Sequence, residues 1–357
     1  MAVPFSHAAS SYLDNYNREL NDALKRADGI IAVFGAKGKI KEETSGGSNF
    51  RTRIFYGQNP NTAWGTTTGQ VSTIASEIKT MASVPQKFIR GSVVLNHIEL
   101  ARASRQGEWS LGDYIKEEKQ AALTTYIQKW ADALRADAPG GNDPLTLLPT
   151  SANVANGILA PQAKASQTAT TAGISRTDND WWRNAYSNTS IDISAEAGRS
   201  TLQQLYLETV FGSSVDDEPD FGLTNALVIS DLTQGVNTNR RAGYGDEMMA
   251  KLRISGIMFE NAMLIRDSAA KLNNKVAFIN TRDLYIKFLR MDTGLGSVSG
   301  GGAKETADQD NGLGGIPVTV LPFQRDIDSF HFVSLHGAVA SLVPANLRTH
   351  ALADNVV

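Results

Sequence analysis

The chain has 357 residues, of which 41% are hydrophobic and 20% are charged, and its formal net charge is −3 at pH 7. This is the composition of a folded soluble protein, and the length predicts about two folded units. The absence of cysteine excludes disulfides, iron–sulfur clusters and cysteine-ligated zinc. The slightly negative charge argues against a dedicated nucleic-acid binder, but it is compatible with a container that does not bind its contents tightly.

The N-terminal residues lack a basic leader and a long apolar run. Because no stretch of the chain reaches the ~20 apolar residues that cross a bilayer, we expect no membrane contact and a cytoplasm-like compartment. Residues 10–27 then place Leu13, Tyr16, Leu20 and Leu24 on one face of a short amphipathic helix. A stripe this narrow needs a partner surface from another part of an assembly or fold.

Residues 49–96 predict a long hairpin-like excursion with a loose tip. Its first strand alternates apolar positions with arginines, and its second strand carries Ile74 and Ile78 on one face. Because an isolated two-stranded hairpin is marginal in water, its aromatic residues must lie against its own domain or against another surface. These aromatic residues are Phe55, Tyr56 and Trp64.

A long helix is predicted over 111–137, because Ser110 followed by Asp113 resembles a capping box and apolar residues recur at helical spacing. Such a helix would be about 40 Å long, which is typical of a long central (spine) helix rather than of a short surface helix. Trp130 lies on its apolar face, so we assign it to the structural core.

The second half of the chain mixes one more helix, around residues 200–212, with short β-rich runs. Because helices and strands do not alternate regularly, the fold class is α+β rather than a doubly wound sheet. A glycine-rich stretch at 292–315 is predicted to be a flexible loop. The runs predicted as strands are NALVIS, KVAFIN, DLYIKFL, GIPVTVLPF and SFHFVSL.

No constellation of residues predicts catalysis, a cofactor or a metal ion. Gly38-Lys39 is followed by Ile40, so the hydroxyl of a phosphate-binding loop is missing. The acidic run at 215–220 is typical of a solvated loop. Trp181 and Trp182 could stack on a sugar or a base, but paired tryptophans are more often buried, so both are assigned to the structural core.

Two motifs after the long helix resemble a branch of the tailed-phage major capsid proteins with the Hong Kong 97 type fold. They are Gly173-Ile174-Ser175-Arg176 and Asp180-Trp181-Trp182-Arg183-Asn184, and they are followed by Phe278-Ile279-Asn280-Thr281. The order of elements is also similar, from an N-terminal arm through an extended loop and a spine helix to an axial domain and returning strands. The resemblance covers most of the chain.

The resemblance implies a division of the chain into an arm, an extended loop, a peripheral domain and an axial domain. The implied ranges are 1–48 for the N-terminal arm, 49–96 for the extended loop, 97–150 for the peripheral domain with its spine helix, 151–275 for the axial domain, 276–345 for the returning peripheral strands, and 346–357 for the C-terminal segment. The implied inter-subunit contacts are Leu13, Tyr16, Leu20, Phe55, Tyr56, Trp64, Ile74 and Ile78.

The function implied is a capsid protein that assembles with itself, as hexamers and pentamers, into an icosahedral shell around double-stranded DNA. A portal and a separate scaffolding protein are expected partners, and a decoration protein is a further one. The location would be the virion, assembled in the cytoplasm of a bacterial host. Two alternatives stay open, namely a nanocompartment shell that encloses protein cargo and a carbohydrate-binding or carbohydrate-active protein using Trp181 and Trp182.

Overall fold

The computed structural model describes most of the second half of the chain and selected parts of the first. The described residues are 29–43, 47–57, 78–96, helical positions between 118 and 135, 157–211, 217–235, 256–267, 274–289, 319–320, 324–325 and 331–356. The residues of the sequence analysis that lie outside this set include Leu13, Tyr16, Leu20, Leu24, Trp64, Ile74, Ser110, Asp113 and the glycine-rich stretch 292–315.

Both helices and strands are present, which agrees with a mixed α and β fold. The described helices are α1 (Gly29–Ala36), α2 (positions between 118 and 135), α3 (Glu196–Leu207) and α4 (Ala226–Gly235). The strands are β1 (Ile40–Glu42), β2 (Asn49–Phe55), β3 (Lys79–Pro85), β4 (Lys87–Asn96), β5 (Thr170–Thr171), β6 (Ile174–Ser175), β7 (Ala185–Ser187), β8 (Phe221–Thr224), β9 (Gly256–Phe259), β10 (Ala262–Arg266), β11 (Lys275–Ile279), β12 (Leu284–Leu289), β13 (Thr319–Val320), β14 (Gln324–Arg325), β15 (His331–Pro344) and β16 (Ala351–Asp354).

The first sheet is organised around the 14-residue strand β15. One edge of β15 pairs with β4 from Asn96 to Lys87, and the other edge takes β14, β13 and β12 in succession. Strand β1 adds to the far side of β12 in parallel. Strand β4 falls within the range 49–96 expected for the extended loop, and it is a full member of this sheet.

The second sheet has the strand order β7-β16-β11-β8-β10-β9. Each of its two faces packs into a different hydrophobic core. Successive side chains of a strand point to opposite faces. Along β11, Val276 and Phe278 therefore pack beneath α3 and α4, whereas Ala277 and Ile279 join the large core that also contains residues of the first sheet. This shared core makes the two sheets one packed unit.

Helix α2 carries three buried side chains, Tyr126, Trp130 and Leu134, at a spacing of four residues. This spacing places them on one helical face, which packs into the shared core. Near its end, Arg135 forms an ion pair with the buried carboxylate of Asp267, just after β10. The helix is thus tied to the second sheet by both packing and charge.

Helix α1 was not anticipated, because its sequence GIIAVFGA was included in the N-terminal arm. Ile30, Ile31, Val33 and Phe34 are all completely buried in the shared core. An apolar run with no polar face gives no periodicity by which a buried helix can be recognised. Residues 29–43 accordingly belong to the folded body.

The prediction of a strand at 225–230 is wrong, because this segment begins α4. Strand β8 ends at Thr224, and the side-chain oxygen of Asn225 accepts the backbone N–H of Val228 at 2.9 Å. This is the capping bond of a helix start. Val228 and Leu232 are buried one turn apart, whereas Leu227 is 69% exposed. The helix predicted around 200–212 is confirmed as α3, with Leu202, Leu205 and Tyr206 buried.

Candidate assembly surface

The hairpin formed by β2 and β3 has one buried and one exposed face. Its seven antiparallel pairs run from Asn49↔Pro85 to Phe55↔Lys79. The inward side chains Phe50, Ile54, Ala82 and Val84 belong to the shared core of the same chain. The inward face of the hairpin is therefore buried by its own chain and needs no partner subunit to cover it.

The outer face of the hairpin consists of Arg51, Arg53, Phe55, Lys79 and Met81. Phe55 is 67% exposed and Met81 is 46% exposed, and the three basic side chains beside them are also exposed. The ammonium of Lys79 lies 5.3 Å from the centre of the Phe55 ring. A basic and apolar strand face of this kind, on a chain whose net charge is negative, is suited to contact another macromolecular surface.

The two motifs that carried the resemblance fold around a single buried residue, Arg176. Its guanidinium is completely buried and uses all five N–H groups. The acceptors are the Thr171 hydroxyl at 3.0 Å, the side-chain oxygens of Gln167 and Asn184 at 3.0 and 2.9 Å, and the backbone oxygens of Gly157 and Ile158, both at 2.9 Å.

These five acceptors are neutral, so the charge of Arg176 is solvated by dipoles rather than paired. Burial lowers the pKa of Arg176 to about 10, which leaves the guanidinium charged at neutral pH. Because every donor is already used within the chain, Arg176 has no N–H left for a phosphate or carboxylate ligand. Its role is to hold residues 157–184 together.

The paired tryptophans have different environments. Trp182 is completely buried, and its indole N–H donates to the backbone oxygen of Thr171 at 3.0 Å. Trp181 is half-buried and stacks on Tyr56, with ring centroids 4.7 Å apart and planes inclined by 8°. A platform for a sugar or a base needs an open ring face, and these contacts cover Trp182 wholly and one face of Trp181.

The acidic run at 215–220 was expected to be a solvated loop, but its described residues form internal bonds. Asp220 accepts hydrogen bonds from Lys37 at 2.6 Å and from the backbone and hydroxyl of Thr281 at 2.8 and 2.6 Å. Glu218 accepts hydrogen bonds from the Tyr206 hydroxyl and from Asn261. These carboxylates therefore stabilise the second sheet and its connection to α1.

Beside this junction, His350 is fully buried and accepts the backbone N–H of Asn280 at 3.1 Å through Nδ1. Burial lowers the pKa of His350 to about 4, so the ring is neutral at physiological pH. Among the described residues, no group of three or more His, Asp or Glu side chains could hold a metal ion. The histidine is accordingly a structural acceptor.

The structure brings together some of the residues singled out from the sequence and separates others. Tyr56 meets Trp181, whereas Phe55 points away from the body of its own chain, and Ile78 is partly exposed at the end of the hairpin. Trp130 and Trp182 both lie in the shared core. The Tyr56–Trp181 contact and the role of Arg176 were not anticipated, because a single sequence carries no signal for such long-range pairs.

No family model matches the chain, and no curated protein is similar to it in sequence. Solved structures are similar in fold. The capsid subunit of cyanophage A-1(L) is 13% identical, with a TM-score of 0.58 over 91% of this chain and 92% of that one. The capsids of the native and empty GTA particles are each 11% identical, with TM-scores of 0.52 and 0.53 over 90% of both chains.

The chain therefore has the fold of these capsid subunits, and the similarity extends over nearly its whole length. This agrees with the resemblance to tailed-phage capsid proteins found in the sequence. Within the described residues, no helix is both long enough and apolar enough to span a bilayer.

Proposed function

We propose that this chain is the major capsid protein of a tailed double-stranded-DNA bacteriophage, and that its role is structural rather than enzymatic. The observation that carries the proposal is the capsid-subunit fold over about nine-tenths of the chain. The exposed basic and apolar outer face of the hairpin supports it, because a shell subunit must expose surfaces that its neighbours bury.

In this proposal the fold is of the Hong Kong 97 type, with an N-terminal arm that ends before α1, an extended loop that ends before β4, a spine helix, a peripheral domain and an axial domain. The subunits form hexamers and pentamers that close into an icosahedral shell around DNA in the host cytoplasm. A portal, a separate scaffolding protein and a decoration protein are the proposed partners. Segment 10–27 and the outer face of the hairpin are proposed to bury their apolar residues on neighbouring subunits.

The test is expression of the full chain followed by size-exclusion chromatography and electron microscopy of the high-mass fraction. The expected result is closed shells or capsomers, alone or after co-expression with a scaffolding protein. A chain that stays monomeric under both conditions would contradict the proposal. The contents of particles from infected cells provide the second criterion, since folded protein cargo in place of DNA would identify a nanocompartment instead.

A further inference from the structure

The outer face of the hairpin carries positive charge that its own chain does not neutralise. Arg51 and Arg53 on β2 and Lys79 on β3 are all exposed on this face. Elsewhere in the chain, basic side chains such as Lys37 and Lys275 form ion pairs with carboxylates. In the part of the chain that the structure describes, none of the three on the hairpin does. Because like charges close together repel, a surface that supplies carboxylates would stabilise this face.

The outer face of α3 carries the opposite charge. Glu196, Gln203 and Leu207 lie on one exposed stripe of this helix, and Glu208 lies beside Leu207. Gln203 donates to the Glu260 carboxylate at 2.8 Å, which brings the turn between β9 and β10 to the same stripe. Leu207 is 56% exposed, and the three glutamates form no ion pair among the described residues. This face is therefore acidic around an exposed apolar side chain.

The two faces do not meet within one subunit. The inward side chains of the hairpin join the shared core, whereas Leu202 and Leu205 of α3 pack into the other core, on the opposite face of the second sheet. Within the described ranges, no ion pair joins the hairpin to α3. A subunit therefore exposes both faces at the same time and cannot pair them itself.

The two faces are similar in length and complementary in chemistry. Strand β2 has seven residues and is about 20 Å long, and α3 has 12 residues and is about 18 Å long. Each face presents charge beside apolar surface, with Phe55 and Met81 on the hairpin and Leu207 on α3. Opposite charges around an apolar contact attract the two surfaces and also fix their relative orientation.

We propose that the outer face of the hairpin docks on the outer face of α3 of a second copy of this chain. The contact is head-to-tail, because the two faces are different surfaces of the same subunit. Each subunit offers one face of each kind, so the repeated contact can close a ring of subunits. The proposal names the surface of the neighbouring subunit that the hairpin meets, and its consequence for a shell rests on the proposed capsid function.

The experiment reverses the charge of each face and then restores the match. Association of the full chain is measured by sedimentation velocity for the wild type, for Arg51→Glu with Arg53→Glu, and for Glu196→Lys with Glu208→Lys. We expect each double variant alone to associate at least about tenfold more weakly, because like charges then face each other. An equimolar mixture of the two variants, or one chain with all four changes, should recover association because the charges are opposite again.

The controls separate a specific contact from an effect of net charge or of misfolding. Lys164→Glu with Arg266→Glu removes the same amount of positive charge at exposed positions outside both faces, and it should associate as the wild type does. Glutamine at the same four positions of the two faces gives neutral variants, which should show a smaller loss. Wild-type association should also weaken as sodium chloride rises from about 0.05 M to about 0.5 M.

The outcomes distinguish this contact from the capsid function. Closed shells that form equally well with either face reversed would overturn the contact and leave the capsid function standing. Recovery in neither the mixture nor the fourfold variant would also overturn the contact. Oligomers that follow the charge pattern but never close, even with a scaffolding protein, would contradict the capsid function alone. A wild-type chain that stays monomeric under both conditions would contradict both.

Discussion

The segment around Arg176 and the outer face of the hairpin differ in how far their side chains are bonded or buried within the chain itself. Around Arg176, all five guanidinium donors and the Trp182 indole N–H are bonded within the chain. On the hairpin, Phe55 and Met81 leave 67% and 46% of their surface exposed. The first region is complete in one subunit, whereas the second leaves apolar surface that the proposed assembly would cover.

Trp182→Ala should have the largest effect on the complete region. The substitution removes a completely buried indole and leaves a cavity, so we expect the free energy of unfolding to fall by ~3–5 kcal/mol. Trp181→Ala, at a half-exposed position, should cost only about 1 kcal/mol. Urea unfolding of the two single variants measures both values. Equal losses of stability in the two variants would show that the two indoles contribute equally to folding, which would contradict their different burial.

Arg176→Met should have the second-largest effect on the free energy of unfolding. The change removes the buried charge and five hydrogen bonds, and of the five acceptors the Asn184 and Gly157 oxygens keep another donor, from Ala160 and Thr171, so we expect a loss of about 3 kcal/mol. Arg176→Lys should not restore stability, because an ammonium cannot reproduce the planar set of five donors. Arg53→Lys is the control, since Arg53 is exposed on the outer face of the hairpin. A stable Arg176→Met would show that the hydrogen-bond network is dispensable.

His350 gives a pH-dependent test of the same interior. Its pKa is about 4 in the folded chain against 6.5 for the unfolded reference, so the folded state binds fewer protons. The stability is therefore full above pH 6.5 and falls as the pH drops towards 4, by about 2 kcal/mol between pH 7 and 5. Urea unfolding across this range should show the loss. A His350→Gln variant should give a flatter profile.

Substitutions on the outer face should have the smallest effect on the isolated subunit. Phe55→Ser combined with Met81→Ser should change the free energy of unfolding by no more than about 0.5 kcal/mol, because both side chains are largely exposed. Particle formation should nevertheless be lost. Leu227→Ser, at a similarly exposed apolar position on α4, is the control and should assemble normally. Assembly by the double variant would contradict the proposed role of this face.

Some elements of the fold follow from local patterns and others do not. Helix α3 was predictable because Leu202, Leu205 and Tyr206 recur on one face between polar residues. Helix α1 was not, because an apolar run has no polar face to reveal its period. In α4, the β-branched residues suggested a strand, whereas the cap at Asn225 determined a helix.

The candidate surface was predictable only in part. The alternation of arginines with apolar residues in β2 identified a strand with two unlike faces. It did not reveal which face the chain itself covers, since that depends on the core residues beneath Phe50 and Ile54. The role of Arg176 was equally hidden, because its acceptors come from positions between 157 and 184 that only the folded chain brings together.

The position of β15 at the centre of the first sheet has a consequence for biosynthesis. Strand β4 pairs with β15 along its whole length, so Asn96 cannot find its partner until His331 has left the ribosome. At ~5–20 residues per second this delay is on the order of 10–50 s, during which the apolar strand is unprotected. A chain that terminates before residue 331 therefore leaves β4 without its partner strand in this sheet.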